Sequence, residues 1–101
     1  MIIVMGTAKA SPETLQSLVG AMETMVTATR LEEGCIDYAY SIEVGAPAVL
    51  RISERWENME ALVAHFGAPH MQEFQKALAA NPPGELDIKF YEASEVTLPG
   101  A

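Results

Sequence analysis

The chain is 101 residues long and half of it is hydrophobic, which suits one domain with a single packed core and is too apolar for a disordered chain. Six Lys and Arg against fourteen Asp and Glu leave a net charge of −8 with no basic cluster, which excludes nucleic acid and anionic membrane surfaces as partners. Cys35 is alone and the apolar run Met1-Ile2-Ile3-Val4-Met5 is too short for a leader or an anchor, so a cytoplasmic protein is expected.

In chain order, residues 2 to 9 read as a first strand rich in Ile and Val. Ser11-Pro12-Glu13 then opens a helix: a capping hydroxyl, proline at the first helical position, and an acid facing the positive dipole end. Leu15, Leu18, Val19, Met22, Val26 and Thr29 recur with helical period, and Met25 widens their stripe. Gly20 costs this helix roughly 1 kcal/mol relative to alanine, a cost that close packing at Gly20 would explain. The helix is expected to end near Glu32-Glu33-Gly34, with Gly34 as left-handed cap.

Cys35 to Val44 reads as a second strand, with Ile36, Tyr38, Tyr40, Ile42 and Val44 on one side. Gly45-Ala46-Pro47 turns the chain, and the strand from Ala48 to Trp56 returns, alternating Leu50, Ile52, Glu54 and Trp56 with Arg51, Ser53 and Arg55. Asn58 caps a short helix whose apolar stripe is Met59, Leu62, Val63 and Phe66. Pro69 starts another, continuing the apolar face with Met71, Phe74 and Leu78. After the Asn81-Pro82-Pro83-Gly84 loop, residues 86 to 98 read as a last strand, apolar at Leu86, Ile88 and Phe90 with Tyr91 opposite; residues 99 to 101 read as a frayed end.

The order β-α-β-β-α-β, its second α split in two, is the ferredoxin-like α+β arrangement: a four-stranded antiparallel sheet with helices on one face. The other face is expected to carry Met5, Tyr91 and either Tyr38 or Asp37. Apolar side chains on both faces would leave a patch on a monomer, so a homodimer pairing two sheets is expected.

No phosphate-binding glycine loop, GxSxG, HExxH or CxxC motif occurs. His65 and His70 lie five apart across Gly67-Ala68-Pro69, unlike a single-turn metal pair; Glu54 could join them as a third ligand, but no metal is expected. His65, at the flank of the Met59/Leu62/Phe66 stripe, is either a half-buried imidazole bonded to a carbonyl or a proton-transfer group at the rim of an apolar pocket. His70, held neutral by a helix N-terminus, either packs on Phe74 or touches a ligand. Trp56 is a core residue or a wall for a flat aromatic ligand, with Phe66, Phe74, Met71 and Tyr38 as the others. Glu54 must reach solvent or pair with His65 or an arginine. Cys35 reads as an inert small hydrophobe, and the six methionines as adaptable core.

Taken together, Glu54-x-Trp56, Ala61-Leu62, His65, Pro69-His70 and Phe74, with Glu33-Gly34-Cys35-Ile36-x-Tyr38 before them, resemble the antibiotic biosynthesis monooxygenase domain. The resemblance covers nearly the whole chain. It implies a small ferredoxin-like domain that dimerises through its sheet into an α/β barrel, with an apolar cavity between sheet and helices. It also implies oxidation of quinols or anthrone-like aromatics by oxygen without metal or flavin. Haem-degrading members carry an asparagine in the first strand; Val4-Met5-Gly6-Thr7 has none, so haem fits less well. The expected activity is therefore a cofactor-free oxidoreductase acting on a small aromatic, quinol or polyketide-type molecule. His65 is its base, Glu54 the orienting partner, and Trp56, Tyr38, Phe66, His70 and Phe74 bind substrate. The alternative is a non-catalytic ligand-binding or interaction module on the same scaffold. A space closed by Met22, Met71 and Phe74 would weaken both the catalytic and the binding reading.

Overall fold

A computed structural model describes residues 1–100. Its elements are β1 (Ile2–Lys9), α1 (Pro12–Thr29), β2 (Cys35–Glu43), β3 (Ala46–Trp56), α2 (Met59–Phe66), α3 (Pro69–Ala80) and β4 (Leu86–Glu92). The strands form one antiparallel sheet in the order β2-β3-β1-β4, with the helices on one face: the ferredoxin-like α+β fold. The caps read from the sequence are made: Ser11 Oγ accepts from Thr14 N–H at 3.1 Å and Asn58 Oδ1 from Ala61 N–H at 2.9 Å.

Alternation sorts the strands into two faces. Val4, Ala8, Leu50, Glu54, Trp56 and Tyr38 turn toward the helices and are buried with Leu15, Leu18, Met22, Met25, Leu62 and Phe74. Asp37, not Tyr38, therefore joins Met5 and Tyr91 on the outer face, since Tyr38 pairs with the inward Glu54 and Asp37 with the outward Arg55. Ile36 is the extra residue of a bulge opposite Trp56 and Arg55 and lies largely exposed, not buried with Tyr38.

Three boundaries differ from expectation. β4 stops at Glu92 rather than running to residue 98, because its partner β1 starts at Ile2, the residue opposite Glu92. A reciprocal pair of bonds, Ala93 N–H to Met1 C=O and the Met1 amino group to Ala93 C=O, closes the ladder. α1 ends at Thr29, and residues 30 to 34 turn before β2; Gly34 (φ +83°) serves that turn rather than capping the helix. The hairpin turn is Val44-Gly45 with Gly45 at φ +84°, and Ala46 and Pro47 already belong to β3. The close packing considered for Gly20 is absent: a Cβ there would meet nothing within 4 Å. Ala101 of the expected frayed end lies outside the described residues.

The short helix α2 is rotated relative to its apolar stripe. Met59, Val63 and Phe66 are at least half exposed, and the buried face is Leu62 and His65. His65, only 1% exposed, sits at the centre of that face rather than at its flank. β4 is exposed along its whole length, so the space between sheet and helices is open toward Leu86, Ile88 and Phe90.

Candidate functional site

The open space under the helices is a cavity of about 280 Å³. Leu15, Leu18, Met22, Met71, Phe74 and Leu78 supply its helical wall, and the inward side chains of β1, β3 and β4 supply the opposite one. Met22, Met71 and Phe74 thus line the hollow without closing it. A broader groove of about 500 Å³ lies between α1 and the β2–β3 hairpin, but it is shallow and has no acid–base pair in its lining.

The polar groups on the cavity wall are neighbours. Tyr38 and Glu54 pair across β2 and β3, and the ring centroids of Tyr38 and His65 are 5.4 Å apart. Tyr40, next inward on β2, shares a 2.7 Å hydrogen bond between hydroxyls with Tyr38 and stacks obliquely on Phe74 at 5.8 Å. Burial holds both phenols protonated, Tyr40 pushed up to about 12 and Tyr38 higher still. Near neutrality they are hydrogen-bonding hydroxyls, not bases.

Glu54 is buried and accepts a 2.9 Å hydrogen bond from Trp56 Nε1–H at Oε1. Burial raises its carboxyl above the ordinary glutamate range, while the indole bond and nearby His65 pull it back and Glu32 adds to the rise. Trp56 is fully buried with its ring 4.9 Å from that of His65. It stands behind Glu54 and His65 as their support, outside the cavity lining.

The partner of His65 is Glu32 rather than Glu54. Nδ1 of His65 and Nε2 of His70 each lie 2.7 Å from the same oxygen, Oε2 of Glu32. A carboxylate oxygen only accepts, so His65 donates from Nδ1–H, and Nε2 is the ring nitrogen left outside that contact. His65 carries that ring to the cavity wall; His70 and Glu32 stand behind it, with 20% and 15% of their side chains exposed. The helix break at Gly67-Ala68-Pro69 is what brings two histidines five residues apart onto one carboxylate, a pairing the spacing within a single helix does not allow.

Of the residues singled out from sequence, Tyr38, Glu54, His65, Phe66 and Phe74 line one cavity, and Trp56 and His70 sit behind it. Glu32 and Tyr40 were not singled out. Glu32 did leave a signal: two acids just past a helix C-terminus face its negative dipole end and need a partner from elsewhere. Tyr40 follows Tyr38 by two residues on one strand and therefore shares its face.

The profile of the antibiotic biosynthesis monooxygenase family matches residues 1–77. A crystal structure from Deinococcus radiodurans, provisionally named an antibiotic biosynthesis monooxygenase, superposes with a TM-score of 0.88 at 32% identity over the full length of both chains. A conserved protein of Methanosarcina mazei Go1 superposes with a TM-score of 0.84 at 28% identity over 92% of each chain. An uncharacterized Synechocystis protein is 30% identical over 97 residues, which are 93% of this chain and 64% of that protein. The present chain thus spans under two thirds of that relative's length. No helix among the described residues is long and apolar enough to cross a membrane.

Proposed function

The chain belongs to the antibiotic biosynthesis monooxygenase family, and on that footing we propose that it oxidises a small aromatic, quinol or polyketide-type molecule with oxygen in the cavity beneath its helices. One observation carries the reading. A buried imidazole with its Nδ1–H committed to a carboxylate forms part of the wall of a mostly apolar hollow. With Nδ1 engaged, Nε2 is the nitrogen through which such an imidazole would exchange a proton with a substrate as a general base.

The chemistry asks little else of the protein. His65 takes a proton from an acidic O–H or C–H of the substrate, and the apolar wall leaves the resulting anion poorly solvated and readily oxidised by O₂. For an anthrone-type CH₂ group the balance is complete: the carbon becomes a carbonyl, O₂ supplies the carbonyl oxygen, and the other oxygen leaves as water. Of the paired Tyr38 and Tyr40 hydroxyls, the one that accepts their mutual bond keeps its own O–H to donate to a substrate oxygen as charge develops on it. Glu32 orients His65, and Glu54, held by Trp56, supports the polar end of the site.

A homodimer through the outer sheet face completes the proposal. Met5 and Tyr91 are about half exposed there, among the pairs Arg51–Glu43, Arg55–Asp37 and Lys89–Asp87. Sedimentation equilibrium tests it, with twice the chain mass expected.

Oxygen uptake over a panel of quinols and anthrones tests the activity. Uptake that disappears in His65→Ala is expected. Saturable binding of the same compounds without uptake would instead make the protein a binding module.

A further inference from the structure

Glu32, His65 and His70 form the one group of three His, Cys, Asp or Glu side chains whose donor atoms converge among the described residues, all lying within 4.8 Å of one another. We propose that these three side chains bind a divalent first-row transition ion, with Zn²⁺ as the representative, through a Glu32 carboxylate oxygen, Nδ1 of His65 and Nε2 of His70. The sequence spacing argues against a metal and offers Glu54 as a third ligand. The fold brings in Glu32 instead and commits Glu54 to the Trp56 indole.

The donor set selects the class of ion. Two imidazoles and one carboxylate suit zinc and its neighbours, whereas magnesium and calcium prefer all-oxygen shells. In the metal-free arrangement two N–H protons point at one oxygen; an ion takes their place when each ring moves its proton to its other nitrogen, to Nε2 in His65 and Nδ1 in His70. No net proton is gained or lost, and no oxidant is needed. One carboxylate reduces the charge of the dication by one.

The ligands come from three segments that are already in place: the turn after α1, the last turn of α2 and the first turn of α3. His65 is held between the Trp56 and Tyr38 rings at 4.9 and 5.4 Å, so little ordering remains to be done on binding. Partial exposure of Glu32 and His70 provides an entry path, and the net charge of −8 raises the local cation concentration. Three protein ligands leave coordination positions for water, the pattern of an open rather than a structural site.

This site goes beyond the oxygenase reading and does not depend on it. A metallated His65 carries its proton on Nε2 and has no basic nitrogen, so the loaded and the base-competent forms exclude one another.

The test uses the full chain, stripped with EDTA and titrated with Zn²⁺ by calorimetry and with Co²⁺ by visible absorption and NMR. One ion per chain is expected, weakened at least about tenfold by Glu32→Gln and by His70→Gln, with Mg²⁺ unable to compete. Because the chain has only two histidines, paramagnetic Co²⁺ should broaden both sets of ring signals in the unmutated protein, a readout independent of variant folding. Absence of stoichiometric binding, binding that survives both substitutions, or histidine signals untouched by Co²⁺ would each overturn the site. Oxygen uptake is read in none of these arms, so failure here leaves the oxygenase proposal standing, and the reverse.

Discussion

The Glu32 carboxylate meets Nδ1 of His65 at 2.7 Å across 33 residues of chain, and this one contact fixes which nitrogen of the imidazole is free to work. If His65 is the base, His65→Ala should lower kcat for oxygen uptake by about 10²–10⁴-fold. Glu32→Gln keeps the shape but not the charge that anchors the tautomer, and should cost about 10–100-fold in kcat with little change in KM. Steady-state oxygen-electrode kinetics on both variants measure this; equal activity in Glu32→Gln would show the contact to be structural only.

Glu54 makes the fold sensitive to pH. Burial raises its carboxyl, so the folded chain holds that proton to a higher pH than the unfolded chain does. Its contribution to stability is therefore complete below the unfolded carboxyl range and is lost as pH rises through the folded value. Glu54→Gln keeps an oxygen for the Trp56 indole and removes the titration. Urea melts should find the variant more stable than the parent at neutral pH, with the gap narrowing as pH falls. A gap independent of pH would contradict this.

Two glycines should respond with opposite signs. Gly34 has φ +83°, and a Cβ there would stand 2.5 Å from that of Ala61; Gly34→Ala should cost about 2–4 kcal/mol by chemical denaturation. Adding Ala61→Gly should recover the clash but not the backbone strain. Gly20 sits in the open on α1, and Gly20→Ala should gain about 1 kcal/mol.

Thr29 ends α1 fully buried, with a hydroxyl that has no hydrogen-bond partner. Thr29→Val keeps the branched shape and removes the unpaired group, so a gain of about 1 kcal/mol is expected in thermal or urea unfolding. A loss would mean that a bound water satisfies the hydroxyl.

What was legible in the sequence was local. The hydroxyl before α1 and the proline that begins it, Asn58 before α2, Pro69 at the first position of α3 and the alternation of Leu50, Ile52, Glu54 and Trp56 each act over a few residues, and together they specify the ferredoxin-like order. The facing of α2 was not legible, because a stripe of Met59, Val63 and Phe66 states the helical period without naming the surface it meets. Tertiary structure turned that stripe outward and drew His65 in, because the Trp56 and Tyr38 rings and the Glu32 carboxylate offered the imidazole contacts that water could not better. Glu32, Tyr40 and the position of Trp56 behind Glu54 are likewise products of packing. Caps and periods are written within a turn or two of chain, whereas the pairing of an acid with an imidazole 33 residues away exists only once the helices lie on the sheet.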